Sequence, residues 1–254
     1  MLERLVDPKA LEEAGLGITS LLKEIALNHE RQYPETIEVV FVFSGPGTFY
    51  QRLKPNEPEW MRWMDRDRIR AGVAVVREVT ASAKSCRLGD TIRSGEISPS
   101  DIEEVGPLFV YNGVGEENPA FLKALDSPFC LLPKEKVIVL DTVRHDDGKE
   151  YPIQHTGDQV RSFFQALADP ASPIFQKTTI ATVAHIPDYI RIPFYLRKYN
   201  DAFIEAGNRG CDFWTYALRN RPGTEDLHVA SELPRLIAYA KQGDLSLEPV
   251  NFSA

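Results

Sequence analysis

The sequence predicts an α/β protein built on a doubly wound, mostly parallel sheet. Short apolar runs of strand length alternate at least four times with segments whose apolar residues recur at helical spacing. The first run, Ile37–Phe43, is apolar at nearly every position, as expected for a strand that helices cover on both faces. Alternation of this kind favours parallel strands joined by crossover helices.

Composition limits the classes of partner. The chain has 254 residues, 43% of them hydrophobic, and a formal net charge of -8. This length suits one large domain, or one domain with a small annex. The acidic balance disfavours a nucleic-acid partner, because phosphate contacts need clustered Lys and Arg. It leaves room for a small anionic ligand held by backbone N–H groups and one or two arginines.

Cysteine usage and hydropathy indicate a cytoplasmic protein. Cys86, Cys130 and Cys211 are widely spaced and form no CxxC or zinc-finger pattern, which favours a reduced setting. The N-terminus lacks the apolar core of a signal peptide, and no apolar run approaches the roughly 20 residues of a membrane span. We therefore expect a protein without a membrane partner. An apolar face on the last helix would suit either an oligomer or an internal contact.

The first third of the chain is predicted to contain a helix pair, a strand and a covering loop. Residues 8–31 have helical apolar spacing, interrupted by two glycines, and Pro34 ends them. The strand at 37–43 leads into Ser44-Gly45-Pro46-Gly47, whose glycines let the backbone approach a ligand. This turn matches neither GxGxxG nor a Walker loop. Residues 51–65 resemble an irregular lid, and a helix with early arginines follows at 66–79.

The middle of the chain carries a polar insertion and then the remaining strand–helix units. Residues 81–106 are predicted to form a surface insertion, with a short helix capped by Ser100 and Glu103. Residues 142–153 are expected to be a loop, and a helix capped by Thr156 or Asp158 follows it. Three further strands are predicted: Leu108–Tyr111, Val137–Leu140 and Thr178–Val183.

The last strand places a histidine in a strand-to-helix turn. Ala184-His185 follows Thr178–Val183 at once, and Pro187 stands where the next helix can begin. We expect residues 36–200 to form the ligand-binding domain. Residues 1–35 and 201–254, the latter with a mixed segment and a final amphipathic helix, would form a helical annex on it.

Five motifs occur in an order that resembles a known family. They are Ser44-Gly45 after the first strand, the helix DRIRAGVAV at 67–75, Tyr111-Asn112-Gly113-Val114-Gly115 after the second strand, His155-Thr156-x-x-Gln159 at a helix start, and Ala184-His185-Ile186-Pro187. This order over residues 37–200 resembles the YdcF/SanA/ElyC family of bacterial Rossmann-like proteins. His155 and Gln159 stand at the two Asn positions of that pattern, and Asp188 at an Arg position.

The resemblance implies a Rossmann-like fold for nucleotide-type ligands. It implies S-adenosylmethionine as a candidate cofactor, because binding of that compound is associated with the YdcF branch. The SanA and ElyC branches have cell-envelope roles and are membrane-tethered, whereas this chain shows no membrane segment.

The polar turns after the predicted strands define the candidate site. In an open α/β sheet the carboxyl ends of the strands share one edge, where ligands bind. His155 and His185 are the candidate acid–base groups, because an imidazole titrates near neutral pH. The candidate ligand-binding residues are Ser44, Gly45, Gly47, Arg68, Asn112, Gly113, Gly115, Asp141, Thr156, Gln159 and Arg191.

The sequence gives weaker support to two other kinds of site, a metal centre and a serine nucleophile. A metal could be held by histidines 145, 155 and 185 with Asp141 or Asp146, but no HxH or HExxH spacing supports this site, so a metal is not expected. A Ser44 nucleophile with a histidine base would lack the GxSxG context.

Three functions remain open at this point. The first is an enzyme that binds an adenosyl or nucleotide-like small molecule at the strand ends. The second is a hydrolase or transferase acting on a phosphorylated metabolite with the same residues. The third is a non-catalytic small-molecule binding or sensor protein.

Overall fold

Five strands form one parallel sheet in the computed structural model of the chain. Their order across the sheet is β3-β2-β1-β6-β7. The strands are β1 (Val39–Phe43), β2 (Leu108–Asn112), β3 (Val137–Val139), β6 (Thr179–His185) and β7 (Asp212–Leu218). The structure describes residue 9 and residues 36–44, 66–113, 117–125, 131–185, 188–218, 234–246 and 248–250. The predicted α/β, Rossmann-like doubly wound architecture is confirmed.

Helices cover both faces of this sheet. They are α1 (Arg66–Leu88), α2 (Pro99–Val105), α3 (Glu117–Ala124), α4 (Thr156–Ala168) and α5 (Ile192–Glu205), and residues 234–241 are also helical. Short 3-10 turns lie at Ser94–Glu96, Lys134–Lys136 and Asp188–Ile190. Within the ranges that the structure describes, no helix is both long and apolar enough to cross a membrane.

The side chains of β1 alternate between two apolar layers. Phe41 packs with α4 and α5, and its ring stacks on that of Phe163 at 4.1 Å between centroids. Val40 and Val42 pack with α1 on the other face. All five residues of β1 are buried, which explains why this strand could be recognised from its apolar run.

The direction of the chain across the sheet reverses beside β1. The chain passes from β1 to β2 and β3 on one side, and then crosses back to add β6 and β7 on the other. A crevice forms outside the carboxyl ends of the strands at such a switch point. The ends of β1 and β6 therefore mark the expected ligand site.

The tail was predicted to be a helical annex with a mixed segment, and part of that mixed segment is a strand of the sheet. Residues 212–218 form β7, which pairs in parallel with β6 from Thr179↔Asp212 to His185↔Leu218. The sheet thus extends beyond residue 200. The helical residues 234–241 place Leu236 in the same apolar cluster as Phe194 of α5, so this part of the tail packs on the domain.

The segments at 81–106 and 142–153 are also more ordered than predicted. Helix α1 continues to Leu88, and α2 is capped by Ser98 with Asp101 rather than by Ser100 with Glu103. The expected loop at 142–153 contains an antiparallel hairpin of β4 (Thr142–Arg144) and β5 (Glu150–Pro152). Pairing of short, partly exposed strands gives a weaker sequence signal than a buried apolar run.

The helix pair predicted at 8–31 and the lid predicted at 51–65 lie outside the described residues, apart from the single helical residue 9.

Candidate functional site

A closed set of hydrogen bonds joins the ends of β1 and β2 to the first turn of α4. The amide nitrogen of Gln159 donates to the hydroxyl and carbonyl oxygens of Ser44, at 2.7 and 3.0 Å, and to the carbonyl oxygen of Asn112 at 3.0 Å. The Asn112 side-chain amide donates in return to the backbone carbonyl of Gln159 at 3.1 Å. All three side chains are buried. Ser44, Asn112 and Gln159 therefore fix the geometry of the sheet edge.

The same hydrogen bonds limit the chemical role of the Ser44 hydroxyl. Its hydroxyl donates to the Asn112 carbonyl at 2.6 Å, so its proton is directed to a backbone oxygen and not to an imidazole. A serine nucleophile needs a general base within hydrogen-bond reach of its hydroxyl. This arrangement favours a structural role for Ser44.

Gly113 is buried where another residue would not fit. A Cβ at this position would lie 2.5 Å from Oδ1 of Asn118 and 2.7 Å from a ring carbon of Tyr111. The glycine therefore allows the turn after β2 to pack closely against the start of α3.

An ion-pair chain links α1 to the beginning of α4. The buried Arg68 places Nη2 at 2.6 Å from Oδ2 of Asp188, and Arg191 places Nη2 at 3.4 Å from Oδ1 of the same carboxylate. Nε of Arg191 also donates to the Thr156 hydroxyl at 3.1 Å. The two arginines named from the sequence thus meet at Asp188, the first residue of the 3-10 turn Asp188–Ile190.

Helix α4 begins at a histidine cap. Nδ1 of His155 accepts a hydrogen bond from the backbone N–H of Asp158 at 3.2 Å. The predicted caps, Thr156 and Asp158, lie inside the helix instead. An Nδ1 that accepts this bond is unprotonated, so the neutral ring carries its proton on Nε2. This is the role that the structure shows for His155, one of the two predicted acid–base groups.

A cavity of about 430 Å³ opens between α4, α5, the β4–β5 hairpin and the tail. Ser44 connects it to the end of β1. The lining residues are Ser44, His145, Gln154, His155, Thr156, Gly157, Asp158, Gln159, Arg161, Arg191, Tyr195, Lys198, Tyr199, Tyr239 and Asp244. This volume lies within the range of about 300–1,000 Å³ typical of small-molecule sites.

Three tyrosines line this cavity. The rings of Tyr195 and Tyr239 lie 6.4 Å apart, and the Arg161 guanidinium and Lys198 ammonium lie 5.8 and 5.5 Å from the ring centre of Tyr199. Burial raises the pKa of both Tyr195 and Tyr199 above the ordinary value for a phenol. The two phenols therefore stay neutral at physiological pH and can donate hydrogen bonds.

The predicted site residues are only partly brought together. The cavity lining includes five of them, which are Ser44, His155, Thr156, Gln159 and Arg191.

His185 does not belong to the described lining. It is the last residue of β6, in register with Leu218, rather than part of a turn. Asp141 is exposed, and its carbonyl accepts the N–H of Ile153. Gly45, Gly47 and Gly115 lie outside the described residues.

Sequence reasoning missed the tyrosines and Lys198. Arg191, Tyr195 and Tyr199 are spaced by four residues, which places them on one face of α5. That spacing was a usable signal, but it equally suits an ordinary packing face. Tyr239 carried no local signal, because it reaches the cavity only through the packing of the tail.

In the described part of the chain, no group of three or more His, Cys, Asp or Glu side chains is arranged to hold an ion. Comparisons with protein-family models, with curated proteins and with solved structures found no match.

Proposed function

We propose that this protein binds an anionic, nucleotide-like small molecule in the cavity between α4 and α5. One observation carries the proposal. The start of a 13-residue helix, three cationic side chains and three tyrosines line the same cavity at the carboxyl edge of a doubly wound sheet. Ligands bind at this edge in open α/β folds.

The charge distribution favours an anionic group near the beginning of α4. The backbone N–H groups of Thr156 and Gly157 belong to the turn in which helical N–H groups have no acceptor within the helix. The helix dipole adds partial positive charge there. Arg161, Arg191 and Lys198 outnumber the two carboxylates of the lining, Asp158 and Asp244. A phosphate or carboxylate is the group that this end of the cavity would hold.

The tyrosines supply a surface for a flat ring. Aromatic side chains stack on nucleobases, and a stacked base contributes about 1–3 kcal/mol in single-stranded nucleic-acid sites. Gly157 keeps space beside this surface, because a Cβ there would lie 3.0 Å from a ring carbon of Tyr195. A ligand with a planar base at one end and an anion at the other matches both parts of the lining.

S-adenosylmethionine remains one candidate, since it combines an adenine ring with a carboxylate and the sequence resembles the YdcF branch. Nucleoside phosphates satisfy the same two requirements with a stronger anion. The non-catalytic alternative would use the same cavity without turnover.

A thermal-shift experiment tests the proposal. AMP, ADP, S-adenosylmethionine, glucose 6-phosphate and adenosine would each be added to the purified chain. A ligand at a hundredfold excess over its Kd adds about 2.7 kcal/mol of stability. We expect AMP or ADP to raise the Tm, adenosine to raise it less, and Lys198→Gln to reduce the AMP shift.

Lys123→Gln is the matched control, because Lys123 is exposed on α3, across the sheet from the cavity. A shift by glucose 6-phosphate without any shift by an adenine compound would contradict the role of the tyrosines. No shift with any of the compounds would contradict the proposal as a whole.

A further inference from the structure

A buried carboxylate lies beneath the cavity and faces two imidazoles. The side chain of Asp158 is only 6% exposed. Its Oδ2 accepts the backbone N–H of Gln154 at 3.1 Å and lies 3.5 Å from Nε2 of His155. Its Oδ1 lies 3.4 Å from Nε2 of His145. A buried carboxylate needs hydrogen-bond donors or cations around it. The Gln154 N–H is such a donor, and the two imidazole nitrogens lie at ion-pair distance.

The two imidazoles differ in whether a ring nitrogen remains able to accept a proton from a ligand. Both ring nitrogens of His155 face Asp158, since Nδ1 accepts its N–H and Nε2 lies against its carboxylate. His145 faces Asp158 through Nε2 alone. Its side chain is 38% exposed and lines the cavity. A ring oriented through Nε2–H presents Nδ1 as the nitrogen able to accept a proton.

The β4–β5 hairpin holds His145 in place. The His145 N–H donates to the Lys149 carbonyl at 3.0 Å, and the His145 carbonyl accepts the N–H of Gly148 at 2.9 Å. The preceding residue, Arg144, exchanges two hydrogen bonds with the side chain of Gln165 on α4, at 2.9 and 2.6 Å. The ring of Tyr151 packs edge-on against the imidazole, with centroids 5.0 Å apart.

We propose that His145 is the general base of this cavity and that Asp158 is its positioning residue. The reaction that fits the surrounding cations is hydrolysis of a phosphoester of the nucleotide-like ligand. This inference rests on the proposed function, because the substrate is the ligand proposed above. It assigns the hydrolysis left open by the sequence to a residue that the sequence did not single out as the base.

The proton and the electron pairs balance without a further reagent. A water molecule attacks phosphorus and forms the new O–P bond while Nδ1 of His145 accepts one of its protons. The P–O bond to the leaving group breaks, and the leaving oxygen keeps the electron pair. Nδ1 then returns the proton to an alkoxide, or to solvent when the leaving group is a stable phenolate. A carboxylate on the far nitrogen stabilises the imidazolium formed in between.

The probe is the p-nitrophenyl ester of thymidine 5′-monophosphate, whose hydrolysis releases coloured nitrophenolate. General-base catalysis by a positioned side chain contributes about 10²–10⁴ in rate. We therefore expect His145→Gln to lower kcat at least about a hundredfold, with KM within about twofold of the unchanged chain. Asp158→Asn should lower kcat in the same direction with KM preserved, and it should lower kcat no further in the His145→Gln background, because Asp158 acts through His145. A merely destabilising change would lower the active fraction in both backgrounds.

Glu150→Gln is the matched control on the same hairpin. It removes an exposed ion pair with Arg144 and should leave kcat unchanged. Circular dichroism and the AMP thermal shift verify that each variant is folded and still binds.

The outcomes separate the two proposals. AMP binding without hydrolysis of the ester would overturn the catalytic inference and leave the binding proposal standing. Ester hydrolysis at an unchanged rate in His145→Gln would overturn the role of His145. An absence of both binding and hydrolysis would overturn both.

Discussion

The side-chain amide of Gln159 lies 2.7 Å from the hydroxyl oxygen of Ser44, and this contact ties α4 to the end of β1 across 115 residues of sequence. The same amide also bonds the carbonyls that follow β1 and end β2. The first turn of α4 is thus fixed relative to the switch point of the sheet. This connection fixes part of the cavity wall, because Ser44 and Gln159 both line the cavity.

Replacement of Gln159 by Leu should destabilise the fold. The hydroxyl and carbonyl oxygens of Ser44 lose this donor, whereas the Asn112 carbonyl keeps the bond from the Ser44 hydroxyl. An unsatisfied buried polar group costs about 1–3 kcal/mol, so we expect a loss of about 2–4 kcal/mol. Urea unfolding measures it. Gln242→Leu is the control, because Gln242 is exposed, and its effect should remain within about 0.5 kcal/mol. Equal midpoints for the two variants would show that the network contributes nothing.

Gly113→Ala should also destabilise the protein, through steric overlap. The added methyl group would lie 2.5 Å from Oδ1 of Asn118, well inside contact distance. Overpacking of this kind costs about 1–3 kcal/mol. Gly95→Ala is the matched control, because a Cβ at Gly95 meets nothing within 4 Å. The prediction fails if both alanine variants unfold at the same urea concentration.

Asp188→Asn tests the ion-pair chain between α1 and the beginning of α4. Arg68 is 6% exposed and Asp188 is 17% exposed in their side chains, so this pair is largely shielded from solvent. Removing one partner of a buried pair costs about 3–5 kcal/mol. The comparison is Glu104→Gln, which breaks an exposed pair with Arg87 and should cost less than about 1 kcal/mol. A loss in Asp188→Asn no larger than in Glu104→Gln would contradict the assignment.

Thiol labelling should distinguish two cysteines. Cys86 is exposed, whereas burial raises the pKa of the Cys211 thiol to about 12. Because the thiolate is the reactive form, Cys211 should resist iodoacetamide at pH 8 until the chain unfolds. Peptide mass spectrometry of the native and urea-unfolded protein measures both sites. Rapid labelling of Cys211 in the native protein would show that the residue is accessible.

The sequence predicts the buried strands better than the edges of the sheet. β1 is apolar throughout, and β6 is rich in small and β-branched residues with its five inner positions buried, because helices cover both faces of these strands. β7 alternates between buried and partly exposed positions along Asp212–Leu218, which is the pattern of a strand less completely covered. Its aromatic residues therefore suggested a mixed segment rather than a strand.

The sequence indicates where in the fold the candidate site should lie more clearly than it indicates which side chains form it. The rule that ligands bind at the carboxyl edge led to Ser44, Thr156, Gln159 and Arg191. The cap formed by His155 was missed because Ser, Thr, Asp and Asn are the usual cap residues. His145 was missed as a partner of Asp158 because the hairpin that carries it was expected to be a loop.

The remaining wall of the cavity depends on tertiary packing. Tyr239 reaches the ring of Tyr195 only because the helical residues 234–241 pack on the domain. The local sequence pattern of a helix does not indicate which other helix, far away in the sequence, it will pack against. This contact could therefore be found only in the structure.

Isothermal titration of AMP and adenosine tests the central claim most directly. If the start of α4 and the nearby cations hold the anion, AMP should bind at least about tenfold more tightly than adenosine, a difference of about 1.4 kcal/mol. Arg191→Gln should remove most of that difference, because Arg191 lines the cavity and its Nε bonds the Thr156 hydroxyl at the start of α4. Equal affinities for AMP and adenosine, or no binding of either, would contradict the account.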